Sequence, residues 1–362
     1  MFNKFFQKNT EKKAGDTLVQ SLSQFGIAVT VDEIIEGYQA VQFVCSITND
    51  KSFNSVRALK KNLWLDLEAH SFLLDEIADS NHKRFSVTIE KSPKRGVFSF
   101  TDAMKGYETS EESPFKVPIG ATIRKEVYSL DLGEIGSVAV AGSTGSGKSV
   151  LFHSIINALL LQNNPEDLQL VLIDPKRVEL TLYSDIPYLH YPVEVSYDKS
   201  ADILRKTLLE IDRRIELFAK ASVENINEYR KLEDREKLPQ MVVLIDEFSD
   251  LMHVDPNVME SAVGEIAQKA VQTGFNIIIG TSRPCIDVYT QKILNNMDVK
   301  VVGTLCNDID SKLVIGSDDA LVLTDSGDML VLQKGDSKPD RIQVCFMEEG
   351  EIVDRVNKLK LN

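Results

Sequence analysis

Five short runs constrain what this chain can fold into more than any other feature: residues 137–141, 168–173, 241–245, 275–281 and 299–305. Each is apolar residue after residue rather than at every second residue. A strand with one wet face alternates, whereas a strand covered on both faces does not. Between the runs, Leu204, Leu208, Ile211, Ile215 and Phe218 recur at helical steps of three and four. Buried strands alternating with helices predict a doubly wound α/β domain on a mostly parallel sheet.

The first run leads into Gly142, Ser143, Thr144, Gly145, Ser146, Gly147, Lys148 and Ser149, then into Val150 and an amphipathic stretch to residue 161. Strand, GxxxxGKS and helix, in that order, form a phosphate-binding P-loop. Its glycines let consecutive N–H groups turn inward on an anion. The helix that follows points its positive end at the same place. Lys148 adds a charge for the β- and γ-phosphates, and Ser149 offers a hydroxyl to Mg²⁺. ATP with Mg²⁺ is the expected ligand pair.

The third run ends in Asp246 and Glu247. A buried strand that stops on two acids sets them at the carboxyl edge of the sheet, where open α/β sheets bind ligands. Asp246 is expected to hold Mg²⁺ through water, and Glu247 to orient and polarise the attacking water. Two acids at a solvated strand end are common. The P-loop upstream in the same sheet gives this pair its meaning.

Elsewhere the chain is less specific. Residues 1–20 read as a polar tail, with Phe2, Phe5 and Phe6 among lysines and no continuous apolar core of a secretory signal. Residues 21–103 read as a small α+β unit. Strands are expected at 26–31, 38–47 and around Phe85, Val87 and Ile89, and a helical pattern over 55–78 carries Val56, Leu59, Leu63 and Leu67 on one side. Trp64 is expected in a core or at an interface. Residues 104–118 hold Gly106, Pro114, Pro118 and an acidic run, and read as a linker. The P-loop domain then occupies 119–362. Glu210 and Arg214 read as an i, i+4 pair on an amphipathic helix, worth about a few tenths of a kcal/mol, with a nucleotide or interface role as the alternative.

No apolar run is long enough to span a membrane. Cys45, Cys285, Cys306 and Cys345 form no CxxC pair, which argues against a zinc site or disulfide frame and fits a reducing cytoplasm; three of them sit in apolar surroundings. The net charge of −14 argues against a broadly basic nucleic-acid surface. Basic groups confined to the pore of a ring are compatible with it.

A collinear set of segments resembles the FtsK/SpoIIIE family of ring-shaped DNA translocases, from roughly residue 25 onward. The P-loop is one. Ile173-Asp-Pro-Lys176 with Val178-Glu-Leu180 is similar to the family's "IDPK..EL", and Glu210 with Arg213-Arg214 to its "E..RR" helix. Leu244-Ile-Asp-Glu-Phe-Ser-Asp-Leu-Met252 is similar to "VDEFADLM". Ile266-Ala-Gln-Lys-Ala270, then Thr281, Arg283 and Pro284, resemble "LAQKAR" and "TQRP"; Asp310-Ser311 and Gly327-Asp-Met-Leu330 complete the set. The resemblance implies a RecA-like motor domain after a small α subdomain, assembled as a homohexamer around double-stranded DNA with ATP between neighbours. Cell-division members add a membrane-spanning region and a winged-helix domain. Neither is evident here, so a soluble, cytoplasmic, motor-only relative is expected. Alternatives are a protein-secretion or conjugation coupling ATPase, or an ATP-gated assembly module with weak hydrolysis.

Three departures bear on chemistry. Ser282 stands where the family has a glutamine that can bond a γ-phosphate or water. Val271 stands where it has an arginine, a candidate finger acting on the neighbouring subunit; Val271 could instead share a packed helix face with Ala267. Lys312 stands where it has an arginine. Arg283 is the favoured replacement for the finger, with Lys269 and Lys312 as alternatives. On the DNA side, the family's usual lysine position is Leu294, with Lys292 two residues earlier as the expected phosphate contact and Asn296 matching.

Overall fold

The computed structural model describes residues 2–90, 96–105 and 113–360, with side chains from residue 11 onward. It divides into two compact units. A small unit comprises Met1–Val97 with Thr122–Glu126 and Val322–Thr324; a large unit comprises Phe98–Ala121, Val127–Leu321 and Asp325–Asn362. No helix among the described residues is long and apolar enough to cross a membrane.

In the small unit a helix, Phe2–Gln24, precedes a four-stranded antiparallel sheet. Its strands are β1 (Val29–Glu36), β2 (Ala40–Ile47), β3 (Phe72–Ile77) and β4 (Arg84–Glu90), in the order β1-β2-β4-β3. Phe43, Cys45, Phe72, Phe85 and Val87 bury one face of the sheet against Leu18, Leu22, Val56 and Leu63. Residues 2–20 of the expected polar tail therefore belong to a helix whose second half buries Leu18 and Leu22. Leu18 and Leu22 are four apart, and one apolar stripe is enough to dock a helix whose other faces are polar. The helical pattern expected through residue 78 stops sooner. Two short helices, Phe53–Arg57 and Lys60–Asp66, are followed by β3, since three- and four-residue spacing does not separate a short helix from the strand after it. Trp64 is 38 % exposed and donates to the Ala69 carbonyl, so it is not core.

The large unit holds a nine-stranded sheet. Its strands are β5 (Lys116–Thr122), β6 (Val127–Asp131), β7 (Ser137–Ala141), β8 (Leu168–Ile173), β9 (Gln240–Ile245), β10 (Phe275–Thr281), β11 (Val299–Val302), β12 (Asp328–Gln333) and β13 (Asp340–Val344). The order is β6-β5-β13-β12-β11-β7-β10-β9-β8. The stretch β11-β7-β10-β9-β8 is parallel throughout, and β11-β12-β13 is antiparallel. The five apolar runs are those five parallel strands. Every residue of β7, β9 and β10 is buried, as double-faced coverage requires. The expected linker yields in part to structure. A helix spans Phe100–Lys105 and β5 opens at Lys116, while residues 106–112 lie outside the described residues.

Candidate nucleotide site

Register assembles the site. Ile173 pairs with Ile245, and Ile245 with Ile279. The residues that follow these strands, Asp174, Asp246 and Glu247, and Thr281 with Ser282, therefore emerge side by side at one edge. Thr281 pairs with Ala141, which brings the P-loop to the same edge. Gly280 is required there: a Cβ would lie 2.5 Å from both the Asp246 carbonyl oxygen and the Phe152 ring.

The P-loop begins the helix Lys148–Gln162. Gly147 has φ 105°, and a Cβ on it would lie 2.7 Å from Gly327 Cα. The Ser326 and Gly327 N–H groups donate to the Gly145 and Ser146 carbonyls, at 3.0 and 2.9 Å, so the loop before β12 buttresses the P-loop. The Gly327-Asp-Met-Leu330 segment thereby acquires a physical role. Ser143 N–H donates to Thr304 O at 2.8 Å, and Thr144 and Gly145 are exposed at the tip. Lys148 Nζ donates to Gly142 O (2.5 Å) and Ser143 O (3.3 Å), and burial lowers its pKa. Val150 continues the first helical turn.

Glu247 is buried and accepts five hydrogen bonds. Ser249 Oγ, Thr281 Oγ1 and Ser282 N–H reach Oε1, each at 2.8 Å; Lys176 Nζ (2.8 Å) and Ser282 Oγ (2.7 Å) reach Oε2. Burial opposes its charge, but Lys176, Ser282 and Thr281 overcome that and hold its pKa near 2. Five donors exceed the roughly four lone-pair directions of a carboxylate. Ser282, shorter than the family's glutamine, is turned onto Glu247.

Asp246 is in the opposite condition. Burial, then the negative charges of Asp174, Glu179 and Glu247, raise it to about 7. Asp174 Oδ2 accepts the N–H groups of Glu179, Leu180 and Thr181, while its buried Oδ1 has no partner. Buried Ser146 Oγ is likewise unpaired. Among the described residues no three His, Cys, Asp or Glu side chains could hold a metal by themselves. Mg²⁺ nonetheless fits: crowded acids and an orphaned carboxylate oxygen suit a cation that takes one or two protein ligands and completes its shell with phosphate and water. Ser149 and Asp246 would hold it.

The remaining expected residues separate. Arg283 is exposed and its side chain makes no hydrogen bond or ion pair among the described residues. Lys269 is held by Asp212 and Glu265, and Lys312 by Asp308. Val271 is 42 % exposed whereas Ala267 is buried, so the two share no packed face. Lys292 lies outside this cluster, 3.8 Å from Glu260. Cys45 and Cys345 are buried, with thiols pushed up to about 12 by burial; Cys285 is half-buried and Cys306 exposed. Cys306 Sγ lies 3.3 Å from Ser143 Oγ, beside the P-loop. Sequence reasoning also missed Tyr289, whose buried Oη lies 3.0 and 2.8 Å from the Val140 and Ile279 carbonyls and ties β7 to β10.

P-loop, acidic pair and parallel sheet together define a P-loop ATPase. The chain belongs to the FtsK/SpoIIIE family, whose model matches residues 101–286. It is 33 % identical over 365 residues to DNA translocase FtsK of Staphylococcus aureus, covering 97 % of this chain and 46 % of that protein. It is 32 % identical to DNA translocase FtsK of Clostridium tetani, covering 95 % and 47 %. The chain thus spans about half the length of these relatives. Among solved structures, the pCW3 conjugation coupling protein TcpA superposes with a TM-score of 0.64 at 21 % identity, covering 96 % of this chain and 99 % of that one. The type VII secretion ATPase EccC of Thermomonospora curvata superposes at 0.60 and 19 %, covering 70 % and 32 %. At those identities the likeness concerns the fold.

Proposed function

We propose that this chain is the motor of an ATP-driven double-stranded DNA translocase, working as a hexameric ring in the cytoplasm. Likeness to DNA translocases along 97 % of the chain supports this reading, with Lys148, Ser149, Asp246 and Glu247 gathered at one edge. Lys148 leaves the loop carbonyls for the terminal phosphates. Ser149 and Asp246 would hold Mg²⁺, which would supply charge neutralisation on the phosphate oxygens. Glu247 aligns the attacking water once it sheds a donor. Lys176 is the donor best able to leave, because its side chain is 43 % exposed and water can take over its ammonium.

Arg283 is proposed to stabilise charge on the transferred phosphoryl group. As the favoured replacement for the finger, and exposed just after Ser282, it is proposed to act on the neighbouring subunit's nucleotide. Mixing Lys148→Ala and Arg283→Ala subunits tests this. Action across the interface predicts recovered activity; no recovery would mean that Arg283 serves its own subunit's site. Lys292 is proposed to contact a DNA phosphate after leaving Glu260. Lys292→Ala should reduce the salt slope of DNA binding by about one, and an unchanged slope removes the assignment.

The central test is ATP hydrolysis with and without long duplex DNA, with Lys148→Ala and Glu247→Gln as controls. Strong stimulation, lost in both variants, is expected. Hydrolysis indifferent to DNA would overturn the translocase reading in favour of protein coupling. The five donors on Glu247 favour a second reading, an ATP-gated assembly module, for which the same assay would find binding without turnover.

A further inference from the structure

A chain of polar groups runs from the half-buried P-loop serine into the interior of the domain. Ser149 Oγ donates to Glu179 Oε1 at 2.7 Å. Glu179 Oε2 faces His153 Nε2 at 3.5 Å. His153 Nδ1 lies 2.8 Å from Tyr183 Oη, and Asn157 Nδ2 lies 2.9 Å from that same oxygen and 2.9 Å from His153 O. His153, Asn157 and Tyr183 are all buried.

The donors along this chain can be assigned. The His153 carbonyl can only accept, so the Asn157 atom facing it is the amide nitrogen, which also donates to Tyr183 Oη. The phenol then has one hydrogen, and His153 Nδ1 is its available acceptor. The Tyr183 contact at Nδ1 holds the His153 ring with Nε2 toward Glu179. Glu179 faces His153 Nε2 with one oxygen and receives the Ser149 O–H on the other. The His153 contact first, with Ser149 and Lys148 adding to it against burial, keeps its pKa below the usual carboxylate range.

A serine hydroxyl has one hydrogen and two lone pairs, and it is a useful metal ligand only when its hydrogen points away from the metal. Left alone beside Asp246, it could spend that hydrogen on the wrong acid. We infer that Glu179 is a positioning residue for Mg²⁺: it takes the Ser149 hydrogen, leaves both lone pairs of Ser149 Oγ free, and is itself held in place by His153, Tyr183 and Asn157. This rests on the reading of Ser149 as a metal ligand. Ligand-orienting groups of this kind typically change metal affinity by about 10- to 100-fold when removed.

The test is binding of a fluorescent ATP analogue to the full chain, titrated with Mg²⁺ and repeated in EDTA. Glu179→Ala should raise the Mg²⁺ concentration needed for tight binding by about tenfold or more, with affinity in EDTA unchanged. In a Ser149→Ala background the same substitution should add nothing. Tyr183→Phe, which removes one oxygen and keeps the ring, should shift the Mg²⁺ requirement in the same direction by less; it carries the test if Glu179→Ala fails to fold. An unchanged Mg²⁺ requirement, an equal loss in EDTA, or a full effect without the Ser149 hydroxyl would each overturn the inference. Wild-type protein that binds the analogue with no Mg²⁺ dependence would instead overturn the underlying metal reading.

Discussion

Two glutamate-linked cations, one buried and one half in water, sit at opposite edges of the parallel strands, and they do different work. At the amino edge, Arg214 is 1 % exposed; it pairs with Glu210 at 3.1 Å, donates to the Thr273 carbonyl at 2.8 Å and lies over the Phe275 ring at 4.6 Å. It thereby satisfies the carboxyl end of the helix Pro256–Thr273, where a cation is favoured. At the carboxyl edge, Lys176 pairs with Glu247 but keeps nearly half its surface in water. In one pair the guanidinium is sealed from solvent and serves the fold. The other can open, and it sits on the residue that must align water. The acids around them differ as well: Glu210 is matched by Arg213 and Arg214, whereas Asp174, Glu179 and Asp246 crowd together.

Three substitutions would break or sharpen that contrast. Arg214→Ala should cost the most stability, about 3–5 kcal/mol, because it leaves the Thr273 and Gly274 carbonyls without their buried donor and empties the space the guanidinium fills against Phe275, while Glu210 keeps Arg213. Chemical denaturation measures it; a loss under about 1 kcal/mol would place Arg214 among ordinary surface pairs. Asp246→Asn should come next, with the opposite sign. The folded Asp246 holds its proton up to about pH 7, whereas the unfolded residue loses it near pH 4. The folded state therefore binds the extra proton between those limits, and metal-free stability falls as pH rises through them. The asparagine variant should lack this decline and gain on the order of 2–4 kcal/mol over wild type at pH 8 in EDTA. Parallel stability–pH curves for the two proteins would contradict the crowding. Lys176→Met should move stability least, by about 1 kcal/mol or less for a half-exposed pair. Its effect belongs to catalysis: hydrolysis without DNA should rise, because Glu247 loses one of its five donors. A fall would recast Lys176 as a phosphate contact.

The α/β class, the P-loop and the acidic pair were legible because each is local. Continuous apolar runs mark double-faced strands wherever they pair, and GxxxxGKS between strand and helix leaves the backbone few options. Arg214 was misread for the complementary reason. Its i, i+4 spacing from Glu210 is the same on a wet surface as beneath a neighbouring helix, and only packing fixed its burial and its worth. Leu18 and Leu22 looked like part of a polar tail until a sheet stood beneath them. Ser282 and Val271 were visible as departures, but not that Ser282 would saturate Glu247 or that Val271 would stand exposed. The sequence by itself determined which strands would be buried and where the P-loop would lie, since backbone conformation and side-chain chemistry at adjacent positions suffice for that. Strand register decided the rest. By setting Ile173, Ile245 and Ile279 level across three strands, it brought Asp174, Asp246, Glu247 and Ser282 within interacting distance, although they are separated by scores of residues along the chain.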